Sequence, residues 1–207
     1  MKIPAAPSIR RLPSYLHLIR QAQSEGVNYI SGTVIANELV LEPIQVRKDL
    51  AMTGVTGKPK RGYSVVELIT AIEHFLGWDS AKNAILIGAG NLGTALTGYQ
   101  EFKNHGLVFV AAFDNNKQKI GTQIHGVPVY SFENLKPILN NLNVSIAVLT
   151  VPSTEAQSIT DKLVDAGIKA IWNFTNVKLK VPDNVVVQRD DLTSGYALLS
   201  VVLGKAD

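Results

Sequence analysis

AILIGAGNLG, at residues 84–93, joins an apolar run to the glycine spacing G-x-G-x-x-G and the start of a helical pattern. This is the fingerprint of a dinucleotide-binding turn between a buried strand and a helix. Gly88 permits the tight turn, Gly90 lets the backbone approach a pyrophosphate, and Gly93 lets the helix pack closely on the strand. The N–H groups that open the helix would face the phosphates. The predicted nucleotide-binding loop therefore consists of Gly88, Ala89, Gly90, Asn91, Leu92 and Gly93.

An acidic residue stands where this fingerprint requires one. Asp114 follows the apolar run Val110–Phe113, about twenty residues beyond Gly93, where a carboxylate bonds the hydroxyls of the adenine ribose. Asn115 and Asn116 follow it, with no arginine directly after. Because a carboxylate repels a 2′-phosphate, the sequence favours NAD(H) over NADP(H) as the cofactor. The alternative is a glycine-rich turn that binds nothing and an aspartate that merely ends a strand.

From about residue 79 onward, short apolar runs alternate with helical patterns, which predicts an α/β domain with a doubly wound parallel sheet of the Rossmann type. Predicted strands cover residues 84–87, 107–113, 128–130, 145–151, 170–174 and 185–187, and predicted helices cover 92–105, 132–140, 154–166 and 192–203. A nicotinamide would lie at the ends of the later strands, near Thr150, Val151 and Pro152 and near Asn173 and Phe174. Without other evidence, residues 150–152 and 173–174 are more typical of ordinary strand-to-helix turns that bind no ligand.

The first 78 residues read as a helical DNA-binding domain. Apolar spacing predicts a first helix over 9–23, a second over 34–39 capped by Ser31 or Thr33, and a third that begins at Glu42-Pro43. A fourth is predicted over 65–76, capped by Ser64 and closed by Gly77. The third helix has an apolar face with Ile44, Val46 and Leu50. A helix, a short turn and a second helix are the parts of a helix-turn-helix.

Charge supports that interpretation. The net charge of +3 lies entirely in residues 1–78, where nine basic residues outnumber six acidic ones, while eleven of each follow. Residues 54–63, rich in glycine and basic at the tip, suit a hairpin wing beside a recognition helix. Gln45 and Arg47 would read base edges, and Lys48, Lys58, Lys60 and Arg61 would hold phosphates. A solvated basic surface is the alternative.

Several classes of function are disfavoured. There is no cysteine, which excludes disulfides and thiolate metal sites, and no metal-ligand spacing is visible. No apolar stretch is long enough for a membrane span, and Met1–Pro7 lacks the apolar core of a signal peptide, so we expect a cytoplasmic protein without a membrane partner. None of the four histidines falls at the end of a later strand, where a dehydrogenase needs its proton donor, so no catalytic residue is assigned.

Five strings carry a family resemblance. They are IRRLPSYL at 9–16, QVRKDL at 45–50, the loop GAGNLG at 88–93, and the pair LTVP at 149–152 and WNF at 172–174. In this order and spacing, along essentially the whole chain, they resemble the Rex family of redox-sensing transcriptional repressors.

The resemblance implies a homodimer that binds palindromic double-stranded operator DNA when NADH is low and releases it when NADH rises. It implies that the apolar last helix is swapped into the partner subunit, and it places Tyr99 near the nicotinamide. Arg10 and Arg11, in the first of the five strings, join the expected DNA contacts. A first-helix arginine that forms a switch pair in some family members is His17 here, opposite the position matched by Asp191.

Two other functions stay open at this point. A small NAD-dependent oxidoreductase with an N-terminal extension would share the nucleotide fold, and the missing proton donor argues against it. A nucleotide-binding structural partner would use the basic face for a protein, and a steep salt dependence of DNA binding would argue against that.

Overall fold

The structure, a computed structural model, describes residues 5–204. Residues 1–4, which open the segment without a signal-peptide core, and residues 205–207 lie outside the described part. The chain divides into two compact units, one that ends at Ser80 and one that begins at Ala81. Each unit has its own buried apolar core.

The N-terminal unit is a helical domain with a two-stranded sheet. Leu12, Leu16 and Ile19 of its first helix are buried in one cluster with Leu68 and Ile72 of its last, as their helical spacing predicts. The second helix begins earlier than predicted because Ser31, rather than Thr33, caps it by accepting a hydrogen bond from the Val34 N–H at 3.1 Å. The elements are α1 (Ala6–Ser24), β1 (Tyr29–Ile30), α2 (Gly32–Glu38), α3 (Pro43–Ala51), β2 (Tyr63–Ser64) and α4 (Val65–Leu76).

The apolar face of α3 differs from the prediction at one position. Val46 and Leu50 are fully buried, but Ile44 is 63% exposed, so its assignment to the inner face was wrong. The inner position belongs instead to Asp49, which is only 3% exposed. A buried carboxylate needs hydrogen-bonding partners, and Asp49 finds them on α1.

A hairpin loop between α3 and β2 forms the wing of this domain. Strands β1 and β2 pair antiparallel, and within the loop Lys58 and Gly62 exchange backbone hydrogen bonds of 2.7 and 2.9 Å. Gly62 has φ +85°, and a Cβ there would lie 2.4 Å from the carbonyl oxygen of Ile30, so only glycine fits. The unit is thus a winged helix-turn-helix, as predicted.

The C-terminal unit is a seven-stranded sheet with helices. Its strand order is β5-β6-β4-β3-β7-β8-β9, parallel except for the pair β5–β6. Numbered along the unit, the six parallel strands have the order 3-2-1-4-5-6 of the doubly wound Rossmann fold. The strands are β3 (Lys82–Ile87), β4 (Leu107–Asp114), β5 (Gln123–Ile124), β6 (Val127–Ser131), β7 (Ile146–Leu149), β8 (Ala170–Asn173) and β9 (Val186–Arg189).

The helices of this unit are shorter than the sequence pattern predicts. The helix predicted over 92–105 is interrupted at Tyr99, whose backbone is extended, and that predicted over 132–140 opens with a 3-10 turn at Phe132–Asn134. The helices are α5 (Asn91–Gly98), α6 (Gln100–Asn104), α7 (Leu135–Leu139), α8 (Ala156–Asp165) and α9 (Thr193–Leu203). Strand β5 was not predicted, because two residues are too short for a periodic signal.

Helix α9 has no buried residue, although it is strongly apolar. The exposed fractions of its large apolar side chains run from 56% at Val201 to 74% at Tyr196. An apolar helix this exposed normally packs against another protein surface, because the exposure of apolar side chains to water is unfavourable.

Candidate nucleotide site and nucleic-acid interface

The three glycines of the loop between β3 and α5 have different surroundings. Gly88 has φ +95°, and a Cβ there would lie 2.9 Å from the carbonyl oxygen of Thr150. A Cβ at Gly93 would lie 2.2 Å from the carbonyl oxygen of Gly88. A Cβ at Gly90, by contrast, would meet no atom within 4 Å. The fold itself therefore requires glycine at two positions, and the space above Gly90 is open to an approaching ligand.

Asp114 fixes the same loop from the end of β4. Its Oδ2 accepts a hydrogen bond from the Ala89 N–H at 2.8 Å, and its Oδ1 accepts one from the Asn116 N–H at 2.8 Å. Thr150 supports the other side of the loop, with its hydroxyl 2.8 Å from the Gly88 carbonyl oxygen. The loop is therefore held in place before any ligand arrives, which lowers the cost of ordering it on binding.

Lys119 is a member of the site that sequence reasoning missed. Its Nζ donates to the carbonyl oxygen of Ala89 at 2.8 Å and lies 3.6 Å from Oδ2 of Asp114. Ala89 is thus held at its N–H by a carboxylate and at its carbonyl by an ammonium group. The fingerprint gave no signal for this lysine, because it lies in the loop beyond Asp114, whose conformation the motif does not specify.

A cavity of about 250 Å³ lies over this loop, at the point where the strand order reverses between β3 and β7. We call it the nucleotide cavity. Six of the predicted cofactor residues line it, with Phe113, Asn115, Lys119, Phe132 and Glu155 among the others. The six are Gly88, Gly90, Asp114, Thr150, Val151 and Pro152. This is the crevice where Rossmann folds bind ligands.

The remaining predicted cofactor residues lie outside that lining. Asn91, Leu92 and Gly93 form the first turn of α5, which no side chain caps, so its N–H groups are available to an anion. Asn173 is buried and uses its side chain internally: its amide donates to the Val177 carbonyl, and its oxygen accepts from Thr175.

Tyr99 and Phe174 belong to a chain of aromatic rings. Tyr99 contacts Phe102, Phe102 contacts Trp172, and Trp172 contacts Phe174, with ring centroids 5.0, 5.2 and 5.0 Å apart. The ring of Tyr99 is at the exposed end, since the residue is 55% exposed. The structure therefore links two residues that the sequence placed separately near the nicotinamide.

The basic residues predicted to contact DNA gather beside the wing. A groove of about 500 Å³, the basic groove, lies between Ser31–Thr33 and the wing. Arg47 on α3 and three wing cations, Lys58, Lys60 and Arg61, line it. Lys58 and Arg61 also lie over the ring of Tyr29, at 5.5 and 5.4 Å from its centroid, a cation–π arrangement that orients them.

The other four predicted DNA contacts do not line this groove. Arg10 and Lys48 are exposed. Arg11 is used inside the domain, where its Nε and Nη2 donate to the two carboxylate oxygens of Asp49 at 2.7 and 3.0 Å. With its amide oxygen turned towards Arg11, Gln45 accepts from the same guanidinium at 3.1 Å. A DNA contact by Arg11 would therefore compete with its hold on α3.

Tyr15 completes this buried network by donating its hydroxyl to Asp49 at 2.7 Å. Burial, followed by the hydrogen bond to Asp49, raises the pKa of Tyr15 to about 12. Burial alone would raise the pKa of Asp49, but hydrogen bonds from Arg11 and Tyr15 outweigh it and hold that pKa below its ordinary value. The network fixes α3 to α1.

The described residues 5–204 contain no group of three or more side chains that could bind a metal ion. None of the helices described there is long and apolar enough to cross a membrane.

The two units match separate family models. Residues 2–51 match the model described as "Putative DNA-binding protein N-terminus", and residues 79–177 match the model described as "CoA binding domain". Among curated relatives, a Redox-sensing transcriptional repressor Rex from Treponema denticola is 61% identical over 98% of this chain and 96% of the relative. The chain belongs to the Rex family of redox-sensing transcriptional repressors. A Rex from Bacteroides thetaiotaomicron is 41% identical over 99% of this chain and 91% of its own length.

Solved Rex-family structures share the fold along the whole chain. The crystal structure of RSP, a Rex-family repressor, in complex with β-NAD⁺ and operator DNA is 34% identical, with a TM-score of 0.92 over 100% of this chain and 95% of that chain. RSP in complex with β-NADH gives a TM-score of 0.89 at 33% identity, over 100% of this chain and 97% of that chain. The predicted combination of a DNA-binding domain and a Rossmann domain is therefore confirmed.

Proposed function

We propose that this chain is a transcriptional repressor that binds operator DNA and releases it when NADH occupies its second domain. The observation that carries the proposal is the pairing, in a Rex-family chain, of a basic groove on a winged helix with a preformed glycine loop on a Rossmann sheet. RSP, which is similar over the whole chain, has been solved with NAD⁺ and operator DNA and with NADH.

We assign DNA binding to a domain of residues 1–78. Arg47 and Gln45 on α3 would read base edges, while the wing cations and Lys48 hold phosphates. The basic groove supports this assignment because it lies between a short helix that projects arginine and a wing that projects lysines. Arg10 would add a phosphate contact from α1, and Arg11 would act through Asp49 and Gln45.

We assign NAD(H) to the domain of residues 79–207. The pyrophosphate would lie over Gly90 and the first turn of α5, and the adenine ribose would bond Asp114. Residues 150–152, which the sequence placed near the nicotinamide, line the same cavity as Asp114 and would form one of its walls. Tyr99, Asn173 and Phe174 remain our candidates for the nicotinamide half, on the strength of the aromatic chain that joins two of them.

We infer that the chain acts as a homodimer through α9. The exposed apolar surface of that helix supports the inference, because a second copy would bury it. Two recognition helices related by a twofold axis would then meet two half-sites of a palindromic operator. Because the proposed partner is operator DNA, we expect the protein to act in the cytoplasm.

Release of DNA requires that NADH and NAD⁺ differ in their affinity for the two dimer states. A ligand shifts an equilibrium only by its differential affinity, so NADH must favour the state that cannot span both half-sites more strongly than NAD⁺ does. No hydride transfer is needed for this, which fits a regulator in place of an enzyme. A small oxidoreductase is the second candidate, and turnover of a hydride acceptor would favour it.

Fluorescence anisotropy on a labelled palindromic duplex tests the proposal. The protein–DNA complex is titrated with NADH and, separately, with NAD⁺. We expect NADH to release the duplex at concentrations where NAD⁺ has little effect. DNA binding that ignores both nucleotides would overturn the sensing function, and absence of DNA binding at low salt would favour the oxidoreductase.

A further inference from the structure

The exposed residues of α3 follow the spacing i, i+3, i+4 and i+7. They are Ile44, Arg47, Lys48 and Ala51. Because residues at this spacing lie on one side of a helix, they form one continuous stripe, which we call the outer face of α3. Val46 and Leu50 lie on the opposite side, buried in the core of the domain. The outer face is therefore the surface that α3 offers to a partner.

Ile44 is the large apolar member of this face. Its side chain is 63% exposed, and Arg47 and Lys48 follow it by three and four residues, so two cations lie beside it. Single exposed apolar side chains are common on protein surfaces, and exposure alone assigns no role to them. The role of Ile44 follows instead from its place on the helix.

Ile44 lies at the end of α3 that reads DNA in a helix-turn-helix. It is the second residue of the helix, after Pro43, and the N-terminal residues of a recognition helix are those that contact base edges in the major groove. Its neighbours are less available, because Pro43 is half-buried and the Gln45 amide oxygen accepts from the guanidinium of Arg11. Ile44 is thus the exposed side chain at the start of α3.

The chemistry of the major groove determines what Ile44 can contact there. Its hydrocarbon side chain neither donates nor accepts a hydrogen bond, and the apolar group that base pairs present in that groove is the C5-methyl group of thymine. The neighbouring cations match the charge of the phosphates on either side of the groove. We propose that Ile44 reads a thymine in each operator half-site by packing against that methyl group. The inference rests on the proposed function, because it requires α3 to be the recognition helix.

Exchange of thymine for deoxyuridine tests the contact, since the two bases differ only by the methyl group. A palindromic duplex is selected from a random library by the full-length wild type, and each thymine is then replaced in turn, symmetrically in both half-sites. We expect one such replacement to raise the Kd measured by fluorescence anisotropy by about fifteenfold, or about fourfold for each half-site, the effect of one methyl group left unburied. In Ile44→Ala the same replacement should leave the Kd unchanged. An unaltered Kd for NADH shows that this variant is folded.

Val66→Ala is the matched control. Val66 is also 63% exposed and is also the second residue of its helix, but that helix is α4. This variant should show the same effect of deoxyuridine as the wild type. The proposal is overturned if no replacement weakens binding by the wild type, if the effect survives in Ile44→Ala, or if Val66→Ala abolishes it as well. Failure of the wild type to select any duplex would instead overturn the proposed function.

Discussion

Gly90 and Gly93 separate ligand binding from folding at the scale of single residues. A Cβ at Gly93 would overlap the Gly88 carbonyl oxygen at 2.2 Å, whereas one at Gly90 would meet nothing within 4 Å, and Gly90 has an ordinary φ of −75°. We expect Gly93→Ala to destabilise the protein by about 3 kcal/mol through overpacking. Gly90→Ala should keep the wild-type Tm and weaken NADH binding by about tenfold or more, because the methyl group occupies the space for the pyrophosphate. Thermal melts and NADH titrations measure both effects, and unchanged NADH affinity in Gly90→Ala would contradict the assigned position of the ligand.

Asp49 gives a prediction about pH. Its hydrogen bonds with Arg11 and Tyr15 hold its pKa below the ordinary value, so its carboxylate stabilises the folded protein above about pH 4 and loses that effect as the pH falls through the lowered pKa. We expect Asp49→Asn to lower the free energy of unfolding by about 2 kcal/mol at pH 7, less than a fully buried pair would lose, because the Arg11 side chain is 23% exposed. Denaturant unfolding at pH 7 and pH 3 should show the difference between the two proteins shrinking in acid. An equal difference at both values would mean that the carboxylate charge contributes nothing.

The nucleotide site shows how far sequence reasoning reaches for single residues. The glycine spacing and the position of Asp114 follow from the fixed geometry of a strand–turn–helix unit, so the sequence could place them together. Lys119 could not be predicted as part of the site, because its contact with Ala89 depends on the path of an irregular loop. The burial of Asp49 could not be predicted for a related reason: the pattern of α3 contains no sign of its partners on α1.

At the scale of elements, α3 and the wing are expected to make different contributions to DNA binding. Arg47 is assigned to bases, so Arg47→Ala should abolish discrimination between operator and random duplex while leaving NADH binding intact. Lys58 and Lys60 are assigned to phosphates, so alanine at either should weaken binding to both duplexes and reduce the slope of log K against log salt by about one. Anisotropy titrations at several salt concentrations measure these quantities. Retained discrimination in Arg47→Ala would mean that the recognition helix is misassigned.

Elements with a strong periodic pattern were the ones that the sequence predicted well. Helix α4, over Val65–Leu76, begins at the Ser64 cap and ends at Gly77 as predicted, because cap, apolar stripe and terminating glycine all agree. The helix after the glycine loop was predicted too long, because Gly98, directly before the break at Tyr99, is a single glycine in a helical pattern, which a helix can tolerate. The two-residue strand β5 exists through its pairing with β6, which a local pattern does not record.

At the scale of the whole molecule, α9 determines whether one chain suffices for function. Its apolar side chains include Leu199 and Val202, which are 61% and 58% exposed and three residues apart, hence on one face of the helix. If a second copy covers this face, the double variant Leu199→Arg, Val202→Arg should be monomeric by size-exclusion chromatography with light scattering, because the interface would bury two unpaired charges. A monomer presents one recognition helix, so its affinity for the palindromic duplex should fall at least tenfold, towards its affinity for a single half-site.

The control is Asn143→Arg, which adds a positive charge at an exposed loop residue and should stay dimeric. A double variant that remains dimeric and binds the operator as tightly as the wild type would show that α9 is covered by something other than the dimer partner, and that the twofold arrangement of the recognition helices has another origin.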